Sequence, residues 1–545
     1  MLHTIACINF TKTHVIYLLI ITHSICKLAV LLIRMFYRII LALKRPKTNN
    51  ACIAVLAFLC LISCQKKETE LAWSESYFQI GTQSSIRTAD LNGDQVLDLV
   101  MGAGRDETVA TDHGVLAING LNGQLLWKQK GPAHVVGSAS FQDINDDGTD
   151  DIFIGGRGSF FTALNGKTGN EIWKYQWDFE NHPVLKYARF NFYNSVWIPD
   201  QNNDGKQELL TVNGGNWGAP AGSEDGRLPG VLMIFDSKTG EIMAADTMPD
   251  AKESYMSPVT YQDSSNDQWK IVFGTGGETI GGSLYVSTLS DLKNGELTSA
   301  NKLATEEQHG FIAPPVLTDL NGDGVLDIVA ISHASTILAF DGHTHEELWR
   351  QSFQGLESSN SPAVGHFINK NNKEILAVMD RGTWPKYSFA NQVVLDGASG
   401  SILYHDSVGC FVVSSPVAYD LDNDGLDEAI LNINDYQCDL EMKDDLLDPP
   451  GISHQLVAID FKDKTHQIID QTRGFRNIFS TPWIGDLDND GYLDIVYNLF
   501  NHSHDLRRFL GMNVKRISTH IKTKQPVIWG AYMGSRGDGV YAGND

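Results

Sequence analysis

Asp486-Leu487-Asp488-Asn489-Asp490-Gly491-Tyr492-Leu493-Asp494, followed at once by Ile495-Val496-Tyr497, is the stretch from which the fold is read. Side-chain oxygens at positions 1, 3, 5 and 9 of a nine-residue loop, with glycine at position 6 for the sharp turn, converge hard ligands on a cation of calcium size. An EF-hand would also need a bidentate glutamate at position 12 and a helix on either side. Position 12 is Tyr497, and the flanks 480–484 and 493–496 have the composition of short β-strands. The loop therefore reads as the turn of a β-hairpin.

The hairpin recurs along the chain. Asp90, Asn92 and Asp94 with Asp98 form the first copy, Asp143, Asn145 and Asp147 with Asp151 the second, and Asp200, Asn202 and Asp204 with Glu208 the third. Asp319, Asn321 and Asp323 with Asp327, then Asp420, Asp422 and Asp424 with Glu428, lead to the last copy, made of Asp486, Asp488, Asp490 and Asp494. Two degenerate copies begin at Asp263 and His366; they lack most ligand oxygens and are expected to keep the hairpin and lose the metal. The eight loop starts are 47 to 66 residues apart, the spacing of propeller blades with variable loops. The expectation is an all-β, eight-bladed β-propeller over residues 75–545, with calcium-binding A–B loops.

A second signature follows the first within each repeat. Residues 114–127, 162–173 and 338–349 alternate apolar and polar about an Asn/Asp-Gly turn and end in Trp127, Trp173 and Trp349, with weaker copies at 233–243 and 394–404. Each reads as a hairpin of strands C and D. A tryptophan locked to the repeat is expected to pack between blades rather than to serve as a ligand platform.

The first hairpin resembles the FG-GAP repeats of integrin α-chain propellers and bacterial VCBS-type proteins, and the second resembles the PQQ-like repeats of quinoprotein-type propellers. Together the resemblances cover nearly all of residues 75–545. Quinoprotein dehydrogenases carry a vicinal cysteine pair beside their cofactor, and this propeller has no adjacent cysteines. PQQ is therefore not expected, and the expected cofactor is Ca2+ at up to six sites.

Residues 1–64 contain no Asp or Glu and seven Lys or Arg, the mark of a targeting region. An apolar run at 54–61 follows Lys44, Arg45 and Lys47, and Leu61-Ile62-Ser63-Cys64 resembles a bacterial lipobox. That resemblance implies acylation of Cys64 and an outer-membrane lipoprotein at the cell surface, with the periplasmic face as the alternative. Residues 65–74 read as a polar tether similar to the export signals of Bacteroidetes surface lipoproteins, and Met35 is an alternative start. Without the leader the chain keeps 35 basic and 66 acidic residues, a net charge of −31. Such a balance argues against nucleic acid and anionic lipid surfaces as partners, although the six carboxylate-rich loops account for much of it, and the lipid is the one membrane contact expected. The propeller has two cysteines, Cys410 and Cys438, which an oxidising compartment would join.

Antiparallel neighbours place A–B loops and C–D turns on one face, and B–C and D–A loops on the other. The B–C insertions 213–229, 381–387, 435–451 and 501–508 bring Trp217, Arg381, Trp384, Tyr387, Tyr436 and His502 to that second face. D–A loops add His134, Tyr255, His309 and Arg476, and these ten are the ligand-face candidates. Arg536-Gly537-Asp538 is placed within the closing blade. No Gly-x-Ser-x-Gly or His-Glu-x-x-His motif occurs, so catalytic residues stay unassigned. The expected function is a calcium-stabilised surface lipoprotein binding a glycan or an envelope protein, with binding favoured over catalysis. The alternatives are a polysaccharide lyase of the calcium-propeller type, similar to certain rhamnogalacturonan lyases, and a structural scaffold without a small ligand.

Overall fold

The computed structural model describes residues 69–216, 218–264, 266–384, 386–438, 451–502 and 507–542. These form eight antiparallel sheets arranged as the blades of a β-propeller, each with strands A to D in order from the centre. Blade 1 is made of Arg87–Ala89, Asp98–Gly102, Thr111–Ile118 and Leu125–Gly131. The A strands of blades 2 to 8 begin at Ser140, Val196, Val259, Val316, Ala363, Val417 and Trp483. Both degenerate loops lie in complete blades, 4 and 6, so loss of ligand oxygens leaves the hairpin intact.

The B strands Asp98–Gly102, Asp151–Gly156, Glu208–Gly214 and Asp327–Ile331 are buried along their whole length, because neighbouring blades cover both of their faces. The outer D strands, such as Leu125–Gly131, are largely exposed, burying only isolated residues. Each fully buried Val, Leu or Ile contributes roughly 1.5–3 kcal/mol, so the packing of blade against blade dominates stability. Leu99 and Met101 of blade 1, for example, pack in one cluster with Trp483, Val496 and Val514 of blade 8.

The ring is closed by strands from both ends of the chain. Thr69–Phe78 pairs antiparallel with Phe509–Lys522 and serves as strand D of blade 8. This corrects the expected tether, since residues 69–74 are strand, with Trp73 buried. The rest of the tether, the targeting region and Cys64 lie outside the described residues.

Four tryptophans of D strands stitch consecutive blades together. The indole N–H groups of Trp73, Trp127, Trp173 and Trp349 donate to the carbonyls of Gly120, Gly166, Ser237 and Gly397 on the next C–D turn, at 2.7 to 2.8 Å. Over each ring lies a positive-φ glycine, Gly123, Gly169, Gly240 or Gly400, where a Cβ would meet the indole at 2.5 to 2.7 Å. The packing role expected of the repeated tryptophan is the one observed.

Beyond Lys522 the chain crosses the innermost strands. Ile484 N–H donates to Gly530 O, Ala418 N–H to Trp529 O and Leu317 N–H to Gly539 O, while the Arg87 guanidinium donates to the carbonyls of Tyr532 and Gly534. Trp529 and Met533 are buried, and hydrogen bonds to blades 1, 3, 5, 7 and 8 hold the segment as a plug in the central channel. Arg536-Gly537-Asp538 belongs to the plug, not to the closing blade where the sequence placed it. Cys410 and Cys438 form a disulfide with Cα atoms 5.2 Å apart, tying the D–A loop entering blade 7 to that blade's B–C loop.

Candidate functional site

The six complete A–B loops share one hydrogen-bond pattern. At position 6 the backbone N–H of Gln95, Gly148, Gly205, Gly324, Gly425 or Gly491 donates to the position 1 aspartate at 2.9 to 3.0 Å. The position 2 N–H donates to the position 9 carboxylate in all six, from Leu91 to Asp98 through Leu487 to Asp494. Oxygens of Asp200, Asp204 and Glu208, and of Asp420, Asp422 and Glu428, converge within 4.8 Å of one another. These donor sets fit a hard, oxygen-loving cation. Burial, against backbone N–H contacts, pushes the position 9 carboxyls of Asp98 and Asp327 up to about 6 and that of Glu428 up to about 8.

The Asp486 loop differs. Asp486, Asp488 and Asp494 also converge, but the Arg516 guanidinium, from strand C of the same blade, donates to Asp494 at 2.9 and 3.0 Å and to Asp488 at 2.5 Å. This loop already holds a cation belonging to the chain.

On the opposite face a cavity of about 660 Å³ opens over the plug, with Tyr532 at its floor. Its wall combines the rings of Tyr193, Tyr255, Trp384 and Phe479 with Arg157, Arg227, Asn194, Glu107 and Glu278. Blade 2 supplies Arg157 on its short B–C turn, and the insertion after Glu208–Gly214 supplies Arg227. Arg157 lies 3.4 Å from Glu107, and Arg227 donates to the Glu253 carboxylate, which also accepts a 2.9 Å hydrogen bond from Tyr255. The guanidinium charges are therefore largely balanced. Burial pushes the Tyr193 and Tyr255 hydroxyls above the usual phenol range, so both stay neutral.

Of the ten ligand-face candidates, Tyr255 and Trp384 line this cavity. His309 sits beside it, its Nδ1 on the backbone carbonyl of Glu278 at 2.5 Å. Tyr387 lies behind the wall, donating to Glu357 at 3.0 Å, and Tyr436 donates to the Tyr387 carbonyl at 2.9 Å. His134 is fully buried, edge-on to Phe509, and burial with the charge of Arg157 pushes its imidazole down to about 3. Arg476 is also buried, and Arg381 is exposed on the rim. The expected convergence of these residues is thus corrected: His134 packs against Phe509, Arg476 is buried, and neither lines the cavity. Trp217 and the His502 side chain lie outside the described residues. Sequence reasoning missed Arg157, because its turn has no insertion to draw notice. It also missed Tyr193, although the aromatic D–A loop 175–195 was a signal in hand.

No family model matches the chain. The mouse Protein FAM234B is 22% identical over 410 residues, covering 68% of this chain and 60% of that protein, so the chain spans about three-fifths of the relative's length. Among solved structures, the quinohemoprotein alcohol dehydrogenase from Comamonas testosteroni superposes with a TM-score of 0.51 at 12% identity, covering 84% of this chain and 78% of that one. A europium-containing methanol dehydrogenase gives 0.52 at 10% identity, covering 83% and 93%. These likenesses to PQQ-type propeller proteins show the fold, an eight-bladed β-propeller, and no more.

Proposed function

We propose that the chain is a glycan-binding propeller, braced by calcium on its A–B face and carried on the outer surface of the cell by a lipid at Cys64. The observation that supports it is the blind cavity over the plug. Aromatic rings beside paired guanidinium and carboxylate groups suit a neutral, polyhydroxylated ligand: the rings meet the apolar faces of a sugar, while the planar polar groups bond its hydroxyls in pairs. A volume of about 660 Å³ accommodates the end of a short oligosaccharide. The net charge of −24 for the whole chain argues against a polyanionic ligand. The reading uses no PQQ.

The test is a glycan array followed by calorimetry on the best ligand, with Trp384→Ala and Arg157→Ala compared against the wild type. Each variant is expected to weaken binding at least about tenfold, a loss of roughly 1.4 kcal/mol. An envelope protein bound equally well by wild type and both variants, with no glycan retained, would replace this reading. Unsaturated product accumulating in the ultraviolet with the same samples would move the protein to the lyase class.

A further inference from the structure

Beside the cavity, three side chains from three loops meet in a way that neither the A–B loops nor the glycan reading employs. One ligand atom each of His309, His333 and Glu357 lies within 4.8 Å of the others. His309 belongs to the D–A loop entering blade 5, His333 to the B–C loop of blade 5, and Glu357 to the two-residue strand Leu356–Glu357 leading into blade 6. His333 and Glu357 are buried, while His309 is half-buried at the edge.

Each side chain is oriented by a second contact. His309 Nδ1 lies 2.5 Å from Glu278 O, and His333 Nδ1 lies 3.1 Å from Ser358 O. A carbonyl oxygen can only accept, so both histidines carry a proton on Nδ1, which leaves Nε2 as the nitrogen available to a ligand once it is deprotonated. Glu357 Oε2 accepts from the Trp384 backbone N–H at 2.9 Å and from the Tyr387 hydroxyl at 3.0 Å. Histidine fixed through one nitrogen by a backbone carbonyl, and carboxylate held by donors behind it, is the arrangement that surrounds metal ligands. His333 Nε2 is buried and faces Glu357 Oε2 at 3.3 Å, an ion-pair distance at which the strict hydrogen-bond angle is not met. Two ligands of one tetrahedral ion with bonds near 2.0–2.1 Å stand about 3.3 Å apart.

We propose that His309, His333 and Glu357 bind a single Zn2+-class ion at the wall of the cavity. Two imidazoles and one carboxylate favour a borderline transition metal over calcium. Three protein ligands leave a position open, as in zinc sites that act as Lewis acids. Ser359 and Glu278, which contact the two histidines, also line the cavity, so a ligand there is within reach of the ion's surroundings. The proposal stands whether or not the cavity takes a glycan, because its test reads metal alone.

Chelator-treated full-length protein is titrated with Zn2+ by calorimetry in a buffer with excess Ca2+, so that the A–B loops are saturated and silent. One tight equivalent is expected, and Co2+ in its place should give the visible bands of a four-coordinate nitrogen–oxygen site. His309→Ala, at the half-buried position, and the isosteric Glu357→Gln should each lower Zn2+ affinity by on the order of a hundredfold or more, with circular dichroism unchanged. Absence of a tight equivalent in the wild type, or variants that bind as the wild type does, would overturn the proposal and leave His333 and Glu357 as a buried ion pair.

Discussion

Gln95 occupies position 6 of the first A–B loop at φ 69°, where the other five loops have glycine at 82° to 87°. A side chain held in the left-handed region costs about 1–2 kcal/mol, part of which a flexible glycine returns through the unfolded chain. Gln95→Gly is therefore expected to stabilise the protein by about 0.5–1 kcal/mol in urea titrations. If the proposed calcium is bound, its removal should lower the melting temperature of wild type and variant alike, because the clustered carboxylates of the five loops without Arg516 would then repel one another. Identical calorimetric melts with and without chelator, on protein shown free of metal, would contradict calcium bracing. The carboxylate spacing made these loops legible in the sequence, because ligand geometry is local. Arg516 was not legible: it lies 22 residues beyond Asp494 and reaches the loop only through the pairing of strands B and C.

Strand Thr69–Phe78 illustrates what a repeat pattern conceals. Glu70-Leu71-Ala72-Trp73 parallels Glu347-Leu348-Trp349, but one extra residue shifts the register between Leu71 and Trp73. No Asn/Asp-Gly turn precedes it either, because its partner strand C comes from the other end of the chain. The eight blades and the division of loops between faces followed from spacing and antiparallel pairing. The cavity wall did not, since the paths of loops such as 175–195 and 214–230 are set by tertiary packing. Deleting 69–78 would leave Phe509–Lys522 as an open edge and remove the Trp73 bond to Gly120. The deletion is expected to abolish the single cooperative melt or drive aggregation, and a peptide of residues 69–78 supplied in trans should restore it. A melt indistinguishable from wild type would show that the ring does not depend on this closure.

Across the whole molecule the proposed function assigns the two faces separate tasks. On the A–B face, loops are tied around the ring: Lys206 donates to Asp143 O at 2.6 Å, Lys373 to Asp319 O at 3.1 Å, and Asn489 to Gln95 O at 2.7 Å. Between the faces, Trp529 and Met533 fill the channel, so a ligand reaches the cavity from the B–C and D–A side only. The separation is tested most directly by hydrogen exchange on the calcium-saturated protein, with and without its best glycan ligand. The account predicts new protection confined to the B–C and D–A loops, including 214–230, 306–312 and 381–387, with the six A–B loops unchanged. Protection centred on the A–B loops would contradict it.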